Sequence, residues 1–225
     1  MRMKPLPARL NAVIHRYKND LAFRGRVSLY QGMTMNLLYA VFRLLTGVRY
    51  DSVWFISMSV YYFALGLMKA YLAVCRRLSE KRGLGFEKRC YRRTALLLFF
   101  LNFPMGIMIT LMVVDNRGFS YPGYVIYLSA IYTFWSAANS VMNLVRFRKL
   151  GSPILSASKA LNFVAAMMSV LGLQTAMIAA FSSDSDEWRR TMNTITGGFV
   201  YAGVIATAVF MLIRSKRTRR NYEQV

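Results

Sequence analysis

Six apolar stretches alternate with short polar linkers along this chain, at roughly residues 28–48, 52–75, 94–114, 124–145, 153–181 and 191–213. Each comes close to or exceeds the ~20 residues that an α-helix needs to cross a hydrocarbon core ~30 Å thick. Lipid offers no water to unpaired backbone groups, so such segments are expected to be helical. The pattern therefore predicts an all-α, polytopic membrane protein with six transmembrane helices. Pro104 and Gly106 fall inside the third span, where a kink is expected. Ahead of the first span, Leu10, Val13, Ile14, Tyr17 and Leu21 recur at helical spacing with Arg9, Arg16 and Lys18 on other faces. That spacing suggests an amphipathic helix lying on the membrane surface. An Arg-rich transit peptide has a similar composition, but no cleavage-like pattern precedes the first span. The expected organisation is a basic amphipathic segment over 1–27, a six-helix domain over 28–213 and a basic tail over 214–225.

Composition agrees with this pattern. Of 225 residues, 56% are hydrophobic. The formal net charge of +21 would suit nucleic acid as well as an anionic membrane surface. Position decides against nucleic acid, because the cations sit in short blocks between apolar runs and no linker is long enough to build a soluble basic domain. Of the 30 Lys and Arg residues, 23 fall in the N-terminal segment, the linkers 76–93 and 146–149, and the tail. Arg49, Arg117, Arg189 and Arg190 fall on the opposite side. The positive-inside rule then puts both termini in the cytoplasm of a multi-pass cell-membrane protein. Tyr50, Trp54, Tyr121, Tyr124 and Trp188 fall where an outer aromatic belt belongs. The basic inner face would attract anionic lipid headgroups. Cys75 and Cys90 flank the linker 76–93, and a cytoplasmic location predicts reduced thiols.

Chemistry is sparse. His15 is the only histidine, no paired carboxylates lie in the spans, and no nucleophile motif or phosphate loop is present. No enzyme activity, cofactor or metal site is expected. Arg43, Lys69 and Lys159 are the three charges within spans. Each is a functional candidate, but each lies near a span end, and snorkelling to the interface is the preferred reading. In the fourth span Ser136, Asn139, Ser140 and Asn143 share one helix face. They can line a polar cavity or hydrogen-bond a neighbouring helix, and packing is the plainer reading. Ser158, Asn162 and Ser169 form a weaker line in the fifth span. Gly198, Ala202 and Ala206 in the sixth make a small-residue ladder that permits close helix approach.

Two stretches look alike. One is Ser52-Val-Trp-Phe-Ile-Ser-Met-Ser-Val-Tyr-Tyr-Phe and the other is Ser152-Pro-Ile-Leu-Ser-Ala-Ser-Lys-Ala-Leu-Asn-Phe. They open spans of opposite direction, so they suggest an inverted three-plus-three repeat of the kind found in transporters. With Asn36–Gly47 before Ser52 and Gly85-Phe-Glu-Lys-Arg89 in the basic linker, the chain resembles the transmembrane region of cation diffusion facilitators. The resemblance covers residues 28–213 diffusely. It implies six spans and cytoplasmic termini. The family's metal-ligand positions fall on Tyr61, Leu65, Leu161 and Ala165, with preceding Asp positions on Met58 and Ser158. None forms a zinc ligand pair, and about 12 residues follow Ile213 where the family has a cytoplasmic domain. The resemblance therefore does not carry zinc/proton antiport to this chain.

The sequence thus suggests a transporter-like protein that moves or binds a small polar solute. Tyr61, Tyr62, Ser136, Asn139, Asn143, Ser158, Lys159 and Asn162 are the lining candidates. The alternative is a non-transporting scaffold or accessory subunit, with a second copy of the chain or another membrane protein as partner.

Overall fold

A computed structural model describes residues 20–115, 123–146, 152–181 and 186–220. It is all-α, with five helices: α1 (Leu21–Arg49), α2 (Val53–Asp115), α3 (Gly123–Arg146), α4 (Pro153–Phe181) and α5 (Asp186–Arg220). Residues 1–19 of the expected amphipathic segment lie outside the described residues.

The helix starts follow local chemistry. The Asp20 carboxylate accepts from the Phe23 backbone N–H at 3.0 Å, an N-cap for α1. Ser52 precedes α2, and its carbonyl accepts from Ile56; Ser152 precedes α4, and its carbonyl accepts from Ser156. Pro153 suits the first turn, where its missing N–H costs nothing. Neither serine hydroxyl caps its helix: Ser52 Oγ is buried without a partner, and Ser152 Oγ bonds to Arg76 and Glu87. Between α1 and α2, Asp51 adopts φ 48° and the Ser52 N–H donates to Gly47 O at 2.9 Å. This is a Schellman turn with Asp at the position that glycine usually fills.

The linker expected over 76–93 is helical instead. α2 runs through it, broken only at Gly83 (φ 73°, ψ −175°). Helix-forming residues on both sides leave the glycine as the point where the chain can turn. Cys75 and Cys90 have Cα atoms 6.5 Å apart, whereas a straight helix would separate them by roughly 22 Å. The two arms of α2 therefore fold back on each other. The cysteines form a disulfide across the arms, which corrects the expectation of free thiols. Beside it, Arg76 Nη1 donates to Glu87 Oε1 at 3.0 Å and to Ser152 Oγ at 3.1 Å, and Ser152 Oγ donates to Glu87 Oε2 at 2.9 Å. The start of α4 is thereby tied to both arms. Pro104 lies inside the continuous second arm of α2.

α2, α4 and α5 are long and apolar enough to cross a membrane. α1 and α3 have the length but are less apolar, because Gln31, Asn36 and Arg43 dilute one and its tyrosines, serines and asparagines the other. The side chains are distributed as they would be in lipid. Leu38, Phe63, Phe100, Phe134, Phe199 and Phe210 are exposed, while Asn36, Arg43, Lys69, Asn162 and Ser169 are buried. Water would oppose that arrangement and hydrocarbon favours it. The core centre joins Met58, Tyr62 and Leu65 of α2 to Leu161, Met168 and Leu171 of α4. Of the expected aromatic belt, Tyr50, Tyr124 and Trp188 are exposed, but Trp54 is buried in the core. Tyr121 lies outside the described residues.

Candidate functional site

Gly32, Asn36, Tyr39 and Arg43 recur at helical spacing, so they share one face of α1. They cover about 16 Å along the helix axis, half a hydrocarbon core. Asn36, Tyr39 and Arg43 are all buried. At the Gly32 end, Lys69 Nζ of α2 donates to Gly32 O at 3.3 Å. A Cβ on Gly32 would stand 3.0 Å from Asn162 Oδ1 and 3.2 Å from Lys69 Nζ, so the glycine makes room for both groups.

In the middle, the Tyr132 hydroxyl of α3 donates to Asn36 Oδ1 at 3.0 Å. The Tyr39 and Tyr132 rings lie parallel with centroids 3.7 Å apart. The Tyr62 ring stands edge-on to both, and its hydroxyl donates to Ala165 O of α4 at 3.3 Å. α1 and α3 meet here chiefly through such long side chains, with few close backbone approaches.

At the far end Arg43 is completely buried, at 0% exposure. Its Nε donates to the Tyr39 hydroxyl at 2.9 Å, and its Nη2 donates to the same hydroxyl and to Ser129 Oγ of α3. The guanidinium carbon lies 5.0 Å from the ring centroids of both Tyr39 and Phe55. A Cβ on Gly172 of α4 would sit 3.2 Å from Nη2. Four helices converge on this one cation. The snorkelling expected of Arg43 does not occur, nor does that of Lys69, which is 1% exposed. In both cases the face of the helix that carries the cation turns inward, away from lipid. Lys159 is half-buried.

The cluster is short of acceptors. Arg43 Nη1, Asn36 Nδ2 and Asn162 Nδ2 are buried donors without a partner, and the Tyr61 hydroxyl is also unpartnered. Among the described residues, the salt bridges join Arg26 to Glu80, Arg76 to Glu87 and Arg189 to Asp186, so no carboxylate pairs with Arg43 or Lys69.

Of the lining candidates read from the sequence, Tyr62 and Asn162 belong to this track, together with the in-span cations Arg43 and Lys69. Tyr61 is its neighbour, with ring centroids 6.4 Å apart. Ser136 lies one turn beyond Tyr132 and Ser158 one turn before Asn162; both are buried. Asn139 and Lys159 are half-buried and engaged with neighbours. The Asn143 side chain lies outside the described residues. Asn36, Tyr39 and Tyr132 were not singled out, although the four-residue stripe in α1, like the one read in α3, lies on a single helix face.

The positions assigned by resemblance to metal ligands, Tyr61, Leu65, Leu161 and Ala165, are buried where α2 meets α4. Among the described residues no three His, Cys, Asp or Glu side chains come together. A groove of about 740 Å³ lies elsewhere, between the second arm of α2 and α5, and it is lined mainly by apolar residues.

The fold and its lipid-like exposure define a class: a helical protein with apolar helices compatible with integral membrane insertion. No protein-family model and no curated protein matches the sequence.

Proposed function

We propose that this is a six-span membrane protein with both termini cytoplasmic, which binds and carries a small solute along the polar track between α1 and α4. The two arms of α2 supply the second and third spans. The observation that carries the reading is the track itself: seven side chains (Asn36, Tyr39, Arg43, Tyr62, Lys69, Tyr132 and Asn162), all buried, inside a bundle whose outer surface is apolar. Buried ionisable groups in a membrane domain are expensive and mark solute pathways. The charge asymmetry between linkers supports the orientation, and the cytoplasmic face it implies suits anionic lipid headgroups. A disulfide is unusual in the cytoplasm, so among the described residues the Cys75–Cys90 bridge is the one feature that weighs against this orientation. The likeness to cation diffusion facilitators supports the chain path alone, since the metal-ligand positions hold Tyr, Leu and Ala.

Single cysteines at Ser136 and Asn162 in a background lacking Cys75 and Cys90 test the reading. A membrane-impermeant thiol reagent should label at least one of them from each side of a sealed vesicle, and lipid-facing Phe134→Cys from neither. Failure to label Ser136→Cys and Asn162→Cys from both sides would contradict transport.

A second reading, a non-transporting component that holds a membrane partner, is favoured by one feature. Gly198, Ala202 and Ala206 all face outward, and Gly198 lines the groove beside the second arm of α2.

A further inference from the structure

We infer that the end of the track at Arg43 is a binding site for the carboxylate of a small organic monoanion. The inference rests on the reading of the track as a solute path and goes further by giving the solute its charge.

The donor surplus points to an anion. The guanidinium is fully buried, its Nη1 has no partner, and no carboxylate of the described residues reaches it. A buried charge without a counter-charge is costly, and it is relieved when a ligand supplies the acceptor. Hydroxyls hold the cation without neutralising it: Tyr39 accepts from Nε and Nη2, and Ser129 accepts from Nη2. The Tyr39 hydroxyl keeps its own hydrogen to offer.

The geometry narrows the class. The rings of Tyr39 and Phe55 both lie 5.0 Å from the guanidinium carbon. With those contacts and with Nε and Nη2 engaged, the Nη1 edge is the part left for a ligand. Nη1 alone can give a carboxylate oxygen a charge-assisted hydrogen bond. The next buried cation, Lys69, bonds at Gly32, about 16 Å away along α1, so one positive charge serves each anion and a dianion is poorly matched. The site lies inside the bundle, touched by α1, α2, α3 and α4, which points to a free solute in preference to a lipid headgroup.

Calorimetric titration of the protein in phosphatidylcholine nanodiscs tests this, with acetate and benzoate as probes and acetamide and benzamide as neutral controls. Saturable binding of the acids and none of the amides is expected. Arg43→Gln should weaken it by about tenfold or more, whereas Arg190→Gln, at an exposed site, should leave it unchanged. If Arg43→Gln does not fold, Tyr39→Phe keeps the stacked ring and removes the hydroxyl, and it should weaken binding by at least about threefold. Equal affinity for acids and amides would overturn the inference. So would unchanged affinity in folded Arg43→Gln or in Tyr39→Phe, which would mark a purely structural cation. Loss of acid binding in discs containing phosphatidylglycerol would assign the site to a lipid phosphate and likewise overturn it. Acid binding without two-sided thiol labelling would uphold the anion site and contradict transport; two-sided labelling with binding of neutral probes alone would do the reverse.

Discussion

The two sides of the bundle differ in how far their polar groups depend on a neighbouring helix. Along the second arm of α2 and in α5, hydroxyls and amides bond back to their own helix. Thr110 donates to Gly106 O, Thr194 to Arg190 O, Thr207 to Gly203 O and Asn102 to Leu98 O. Between α1, the first arm of α2, α3 and α4 some hydroxyls also bond back, as Thr46 does to Phe42 O and Ser129 to Val125 O, but there a second set of bonds crosses helices. Tyr132 reaches Asn36, Arg43 reaches Ser129, Lys69 reaches Gly32 O and Ser59 reaches Ala40 O. Self-bonded groups need no neighbour and fix no geometry. Cross-bonded groups fix helices relative to one another, and the donors left over define a site. The difference teaches that buried polarity alone does not mark function; dependence on another helix does.

The disulfide staples these two sides together, so cutting it is the strongest perturbation of the contrast. By loop closure over its 15-residue separation, the bridged form should exceed Cys75→Ser in stability by about 3 kcal/mol. Thermal denaturation in detergent with and without reductant measures this, and equal midpoints would show that the staple is idle. Close packing gives the next effect. A Cβ on Gly47 would meet the Ile56 backbone nitrogen at 2.9 Å, whereas one on Gly198 meets nothing within 4 Å. Gly47→Ala should therefore cost about 1–3 kcal/mol, and Gly198→Ala should stabilise α5 by up to about 1 kcal/mol. Similar shifts for the two would erase the distinction. Smaller again, Tyr132→Phe strips Asn36 Oδ1 of its donor and should cost about 0.6 kcal/mol, typical of an interhelical bond in lipid. Thr207→Val removes a self-bonded hydroxyl and should change less. Asp51→Gly relieves the left-handed turn between α1 and α2 and should raise stability slightly, by less than about 1 kcal/mol; a lowered midpoint would show that the aspartate side chain matters there.

Where the helices run is legible in the sequence, because apolar length is a local property. The expected starts at 52 and 153 fall within a residue of α2 and α4. Turning of the chain at a single glycine is less legible: basic residues 76–93 look like a linker, yet Lys, Arg and Glu are good helix formers, and both arms extend into them. The site is the least legible part. Tyr62 and Asn162 stood out as polar residues within apolar runs. Arg43 and Lys69 also stood out, but distance from a span end does not tell which way a helix face turns. That depends on the neighbour supplying Tyr39, Ser129 or Gly32, and no single helix encodes its neighbour.

The most direct test of the central claim, that the α1–α4 side holds buried donors awaiting an acceptor, is a density map of the protein in lipid nanodiscs at side-chain resolution. Non-protein density should lie within about 3 Å of Arg43 Nη1, with Tyr39 and Ser129 still holding the other nitrogens. Arg43 swung out to the headgroups, or a carboxylate of this chain closing on Nη1, would contradict it.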